Sequence, residues 1–239
     1  MIGNRGFSQK RKSGRELSGN EYEIKFEFHH KNLELRDYLT EIENALYGNE
    51  QYIIDPVQTV STMNTHFFMD IENNTEYSVF NYDGQLMLKI KKHQLLEYGR
   101  MPVYANVETF QYEKNRIRHI LEQPHVRYVG TMTKNRIKDF LMNNHDGRIY
   151  SLAVTICEAN DRFQYQFEIE YNGYSSQRES ILEDEDLLIG KLVQVGEDIY
   201  SSANAFMKPS RERKYEFVTK SGCPANPQVE KTAILNALS

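Results

Sequence analysis

Two segments, one near each end of the chain, place glutamates at alternate positions: Glu21-Tyr22-Glu23-Ile24-Lys25 and Glu168-Ile169-Glu170. In a strand, residues i and i+2 point to the same face about 6.5–7 Å apart. Each segment therefore shows two carboxylates to one side, while Tyr22, Ile24 and Phe26, and Phe167 and Ile169, face the other. Such strands need a fold with an apolar layer on one side and a polar space on the other. Four carboxylates converging in that space would hold a divalent metal.

A plainer reading stands beside this one, because an antiparallel strand with one wet face also alternates charged and apolar residues. The chain carries its own comparisons. Glu41 and Glu43 lie in a helical pattern, where i and i+2 diverge, and Glu183 and Glu185 belong to the acidic run Glu183-Asp184-Glu185-Asp186, which reads as a solvated helix start. Neither pair is a candidate site.

Two more segments put bases at the same period. Leu88-Lys89-Ile90-Lys91 alternates apolar and basic, and Lys134-Asn135-Arg136-Ile137-Lys138 shows Lys134, Arg136 and Lys138 on one face. Acidic and basic strands form a complementary set. Closed into a barrel with these faces inward, they would neutralise one another and any metal and polyphosphate bound between them.

At 239 residues the chain is of ordinary length for a single β-barrel domain. The net charge of −5 and a hydrophobic share of 39% point to a water-soluble protein with a polar interior. There is no apolar run of the roughly 18 residues a membrane span needs, and the leader Met1 to Gly19 lacks the apolar core of a signal peptide. An intracellular, cytoplasmic location with no membrane partner is the expectation, in keeping with only two cysteines, Cys157 and Cys223. Cys157 and Arg162 are too close for a cysteine-phosphatase loop, and no Walker loop, dinucleotide fingerprint, His-Glu-x-x-His or paired Cys-x-x-Cys is found. His29 and His30 are adjacent, point to opposite strand faces and make poor ligands.

Residues 1–19 form a flexible basic arm, with Arg5, Lys10, Arg11, Lys12 and Arg15 against Glu16. A strand over 20–28 follows. Leu35, Tyr38, Leu39, Ile42, Ala45 and Leu46 predict a helix over about 33–47. Short strands, including 65–69, 77–82 and 86–91, alternate with turn signals at Asn73-Asn74 and Asp83-Gly84. Residues 113–122 are ambiguous between helix and strand. Strands are predicted again over 125–133, 134–142, 149–158 and 163–171, then a helix over 185–203. Residues 207–239, with Pro209, Pro224 and Pro227, read as a linker whose apolar close, Ala233 to Leu238, has no place in this domain and points to a second module.

Glu21-x-Glu23-x-Lys25, the basic strands between, and Glu168-x-Glu170 together resemble the triphosphate tunnel metalloenzymes. Order, spacing and length are most similar to the metal-dependent RNA 5′-triphosphatases of fungi, protozoa and large DNA viruses, and more narrowly to the triphosphatase domains of mimivirus-type mRNA capping enzymes. The resemblance implies a mainly β (α+β) fold over 20–206, a closed eight-stranded antiparallel β-barrel with flanking helices. It implies that Glu21, Glu23, Glu168 and Glu170 bind Mg2+ or Mn2+ and, with Arg136, carry catalysis. By the same likeness Lys25, Lys89, Lys91, Arg127, Lys134, Arg136 and Lys138 bind phosphates. The implied reaction removes the γ-phosphate of a triphosphate-ended RNA, or of a free nucleoside triphosphate, and the implied partner is a covalently linked guanylyltransferase module. Two departures bear on the attacking water. Leu152-Ala153-Val154-Thr155 has Ala153 where members often carry an acid, and Gln166 stands where some have a third glutamate; an amide orients water but does not take its proton. The alternatives are a tripolyphosphatase, thiamine triphosphatase or nucleotide cyclase of the same fold, or a non-catalytic nucleotide- or RNA-binding barrel.

Overall fold

The computed structural model describes residues 19–30, 32–175, 184–222 and 224–237. Of the basic arm expected over 1–19, residues 1–18 lie outside the described residues, as do Glu183, Cys223 and the last two residues, while Gly19 begins β1. The elements run β1 (Gly19–Phe28), α1 (Leu35–Leu46), β2 (Tyr52–Asp70), β3 (Thr75–Tyr82), β4 (Gln85–Tyr98), β5 (Met101–Gln111), α2 (Lys114–Glu122), β6 (Val126–Asn143), β7 (Arg148–Ala159), β8 (Arg162–Tyr174), α3 (Glu185–Ala203), β9 (Met207–Pro209), α4 (Lys214–Lys220) and α5 (Pro227–Ala237).

The first eight strands pair antiparallel in the order β5-β4-β3-β2-β6-β7-β8-β1, and β1 pairs with β5 to close the barrel. Closure leaves no long edge exposed. The turns follow the residues. Asp83 and Gly84 both adopt positive φ between the register partners Tyr82 and Gln85, and Asn160 and Asp161 do so between Ala159 and Arg162. Two positive-φ residues in a two-residue loop twist the hairpin with the sheet's own hand.

The main apolar core lies outside the barrel. Tyr22, Ile24, Phe26 and Phe28 pack with Ile137, Leu152, Val154, Phe167 and Ile169 beneath the stripes Tyr38-Leu39-Ile42-Leu46 of α1 and Leu188-Leu192-Val195-Ile199 of α3. Phe26 stacks on Phe167 and Tyr200, with ring centroids 5.6 and 6.0 Å apart. A second cluster, including Phe68, Val79, Leu88 and Val126, packs under Ile117 and Leu121 of α2. Because side chains alternate along each strand, these outward apolar residues turn their charged neighbours into the lumen.

Several expectations change. The strands expected over 125–133 and 134–142 are one long strand, β6, since its pairing with β2 continues through a bulge at Val129. The ambiguous stretch 113–122 is helical because Ile117 and Leu121, four apart, meet the second cluster. The span expected as a linker is packed structure. Strand β9 pairs with the end of β1, and Ile234 and Leu235 of α5 lie against the second cluster while Lys231 Nζ donates to the Val126 carbonyl at 2.6 Å. Within the apolar close, Ile234 and Leu235 therefore have their place on this barrel. Helix α4 seats Phe217 and Val218 on Phe67, Met132, Cys157 and Ala159, whose side chains share the inner face, and so it closes one end of the lumen. A Cβ at Gly130 would stand 2.8 Å from Val218 Cγ1, so this approach requires glycine.

Polar groups also sit in the outer layer, Asp139 among them. Asp139 of β6 is fully buried, and burial, with Glu43 of α1 and Asp55 of β2 nearby, pushes its carboxyl up to about 7. The folded protein thus holds a proton that the unfolded chain, with a carboxyl near about 3.9, releases. Stability from this group is complete below pH ~4 and declines as pH rises towards ~7. Asp139→Asn is expected to raise the melting temperature at pH 8 by several degrees and to leave it nearly unchanged at pH 4, as scanning calorimetry would show.

A candidate active site in the barrel

Strand β1 turns Glu21, Glu23 and Lys25 into the lumen, and β8 brings Gln164, Gln166, Glu168 and Glu170 beside them, with Glu23 opposite Glu170 and Lys25 opposite Glu168. On the other side of β1 stand Asn106 and Glu108 of β5, then Lys89, Lys91 and His93 of β4. Lys134, Arg136 and Lys138 of β6 and Thr155 and Cys157 of β7 complete the wall. Sequence alternation therefore places both glutamate pairs and both basic strands in one space.

Within it, most acids are already matched by ammonium groups. Lys25 Nζ lies 3.0 Å from Glu23 Oε1 and 2.8 Å from Glu168 Oε1. Lys91 Nζ contacts Glu21, and lies 3.1 Å from both Glu23 Oε1 and Glu108 Oε1, while Lys89 pairs with Glu108. Glu168 also accepts from Lys214 Nζ at 2.5 Å. Burial works to raise the Glu21 and Glu168 carboxyls, yet Lys91 and Lys89 around the first, and Lys214, Lys25 and Arg136 around the second, hold both well below the usual carboxylate range. Burial outweighs the nearby lysines at Glu108, whose carboxyl is raised. Glu170 is looser: Ser151 Oγ donates to it at 3.3 Å and Lys138 Nζ is 4.0 Å away.

The β6 wall differs. Lys134 and Arg136 make no ion pair among the described residues, and Arg136 Nε is buried without a partner. Burial, then the like charge of Lys214, pushes the Lys134 ammonium down to about 7. An anion entering here meets two basic groups that make no ion pair among the described residues, although the Arg136 charge also acts on Glu168.

Of the residues expected to hold phosphate, Lys134 and Arg136 face the lumen unpaired, Lys138 and Lys89 face it beside one carboxylate each, and Lys25 and Lys91 are bound into the carboxylate cluster. Arg127 is exposed and stands seven residues from Lys134 along β6, about 23 Å at the usual rise, so it is not brought into the cluster.

Residues beyond those expected also converge. Asn106 Nδ2 donates to Glu21 Oε2 and Glu23 Oε1, both at 2.9 Å. His93 Nδ1 is 2.7 Å from Asn106 Oδ1, His93 Nε2 is 2.8 Å from Glu76 Oε2, and Arg213 Nη1 is 3.0 Å from Glu76 Oε1. Arg213 and Lys214 thus tie the plugging helix to both glutamate pairs. The period-two run Lys89-x-Lys91-x-His93 carried a signal for His93; nothing local marked Arg213 and Lys214. Gln166 Nε2 donates to the Glu212 carbonyl at 2.8 Å, and its buried Oε1 has no partner.

The donor chemistry of Glu21, Glu23, Glu168 and Glu170, all carboxylate oxygen, fits a hard cation such as Mg2+ or Mn2+. Among the described residues, however, no three such groups converge as a metal cage. The ammonium groups of Lys25 and Lys91 stand between them, and an entering cation competes with these two lysines for the same oxygens.

No family model matches the chain, and no curated protein matches it. Among the described residues no helix is long and apolar enough to cross a membrane. The S. pombe RNA triphosphatase Pct1, in complex with the Spt5 CTD, aligns at 9% identity over 79% of this chain and 82% of its own, with a TM-score of 0.39. The Hippeastrum protein HpAC1, named for adenylyl cyclase and described as having a dominant triphosphatase activity, aligns at 14% identity over 87% of this chain and 99% of its own, with a TM-score of 0.48. The PH1819 protein from Pyrococcus horikoshii aligns at 13% identity over 84% of this chain and 99% of its own, with a TM-score of 0.50, a likeness of fold.

Proposed function

We propose that the chain is a metal-dependent RNA 5′-triphosphatase, cleaving the bond between β- and γ-phosphates to leave a diphosphate end, the first step of mRNA capping. The observation that carries this reading is the division of the lumen: a carboxylate cluster on β1 and β8 faces the unpaired cations Lys134 and Arg136 on β6. Glu21, Glu23 and Glu168 also balance buried lysines, but a plain anion-binding barrel needs neither those pairs nor the looser Glu170 beside them, which favours catalysis over simple binding.

In this reading Arg136 and Lys134, with Lys89 and Lys138 at either side, offset charge on the β- and γ-oxygens as the bond breaks. Arg136 contributes a two-pronged contact that lysine does not. Glu21, Glu23, Glu168 and Glu170 would hold Mg2+ or Mn2+, which when bound supplies charge stabilisation on the transferring phosphoryl group. Asn106 keeps the Glu21 and Glu23 carboxylates aimed at one point. The unpartnered Oε1 of Gln166 accepts a hydrogen bond from the attacking water and orients it, while proton removal falls to a glutamate. A linked guanylyltransferase enters this proposal through the family resemblance alone, since Ile234 and Leu235 are used in packing on the barrel.

Phosphate release from triphosphate-ended RNA, ATP, tripolyphosphate and thiamine triphosphate, each with Mg2+, Mn2+ or chelator, tests the proposal. Metal-dependent release from RNA and ATP is expected. Equal release in chelator, release confined to thiamine triphosphate, or production of cyclic nucleotide and diphosphate from ATP would each sink it.

The depressed Lys134 adds a pH signature. A bound polyanion favours the ammonium form, so binding near pH 8 draws a proton onto Lys134, and affinity for tripolyphosphate falls as pH rises above about 7. Calorimetry in buffers of different ionisation enthalpy should report uptake approaching one proton, and Lys134→Met should abolish it.

A further inference from the structure

The lumen holds one apolar surface that the chemistry above leaves unused. Phe80 and Tyr82 of β3, Met87 of β4 and Phe110 of β5 share the inward face with Lys89 and Glu108, as their alternation and register require. Phe80 pairs directly with Met87, and Phe110 with Lys89. Phe80 and Met87 are buried, yet none of the four belongs to any of the apolar clusters that hold the barrel to its helices or seat α4. They form a shelf across the adjacent strands β3, β4 and β5, with Phe110 directly opposite Lys89. Tyr82 stands at its outer margin, 60% exposed.

The shelf touches the phosphate-facing cations. Lys134 Nζ lies 5.9 Å from the Phe80 ring centroid and Lys89 Nζ 5.8 Å from that of Phe110. A ligand whose phosphates reach these lysines therefore brings whatever is attached to them against flat π surfaces. Inorganic tripolyphosphate has nothing to place there. A cationic ring would meet the repulsion of Lys89 and Lys134, whereas a neutral planar base stacks on aromatic faces and accepts a neighbouring ammonium.

We infer that this shelf is a nucleobase subsite, with Phe110 as its stacking platform, and that the lumen takes the 5′-terminal unit of a nucleoside triphosphate. The inference rests on the reading that the lumen binds a triphosphate, and it adds residues that set the choice among triphosphates. Phe110 is half-buried, so its truncation removes stacking surface at modest cost to packing.

Equilibrium binding of ATP and of inorganic tripolyphosphate to the whole chain, by calorimetry without metal, separates the two ideas. The wild type should bind ATP more tightly. Phe110→Ala should lower the ratio of ATP affinity to tripolyphosphate affinity about tenfold, the scale of one base–aromatic stack, and Phe110→Tyr should restore it. An unchanged ratio in Phe110→Ala, or tight tripolyphosphate binding without preference for ATP, overturns the shelf while leaving the phosphate site standing. Binding of neither ligand by a folded wild type overturns both.

Discussion

Glu168→Gln is expected to lower metal-dependent triphosphate turnover at least about 10²-fold, the scale for losing one preorganised charge-stabilising group, while the barrel stays folded. Glu168→Ala is expected to lose stability as well. The reason is the company this carboxylate keeps: Lys25 Nζ at 2.8 Å and Lys214 Nζ at 2.5 Å both depend on it. Truncation leaves buried ammonium groups without a counter-charge, and breaking such a pair costs about 3–5 kcal/mol, whereas the amide keeps an acceptor oxygen for one of them. The lumen glutamates are therefore not free of structural duty, as side chains facing a water-filled cavity would be. Glu41→Ala, at an exposed position on α1, is the matched control and should change neither activity nor melting temperature. Turnover near wild type in a folded Glu168→Gln protein would remove the carboxylate cluster from the mechanism.

What the sequence made legible follows from what strand geometry preserves. Two charges at i and i+2 with apolar residues between fix the face of a strand, so the lumen positions of Glu21, Glu23, Glu168, Glu170, Lys134, Arg136 and Lys138 were readable without knowing any partner strand. Isolated polar residues such as Glu76 and Asn106 were not. Their inward direction depends on register with remote strands, and Val107 and Thr109 on the outer face of β5 are exposed, which blurs the apolar half of the pattern. Arg127 shows the opposite failure. It lies in a strand-like stretch, but the continuous run of β6 carries it far along the barrel from Arg136. Arg213 and Lys214 were invisible for another reason. Helix α4 has only seven residues and seats just Phe217 and Val218 on the barrel, so it shows no extended stripe, and the flanking prolines made the region look like a linker. In α5, Ile234 and Leu235 find a patch assembled from strands and a helix distant in sequence, which no local pattern announces.

Arg136→Ala is expected to lower kcat/KM for triphosphate substrates by about 10²-fold or more without loss of stability, the reverse of the cost predicted for Glu168→Ala. Arg136 has no ion pair among the described residues, and its Nε is buried with no acceptor. Its positive charge also bears on Lys134, as one of the like charges that depress the ammonium there. Removing the guanidinium relieves that repulsion and an unmet donor while giving up its attraction to Glu168, so the melting temperature should change little. Arg136→Lys should recover part of the activity, since charge returns but the planar two-pronged contact does not. Lys134 should also titrate higher in Arg136→Ala, moving the pH range of proton uptake upward. If Arg136→Ala instead melted as early as Glu168→Ala, the guanidinium would be part of the barrel's internal charge pairing, and the β6 wall would no longer count as the surface reserved for phosphate.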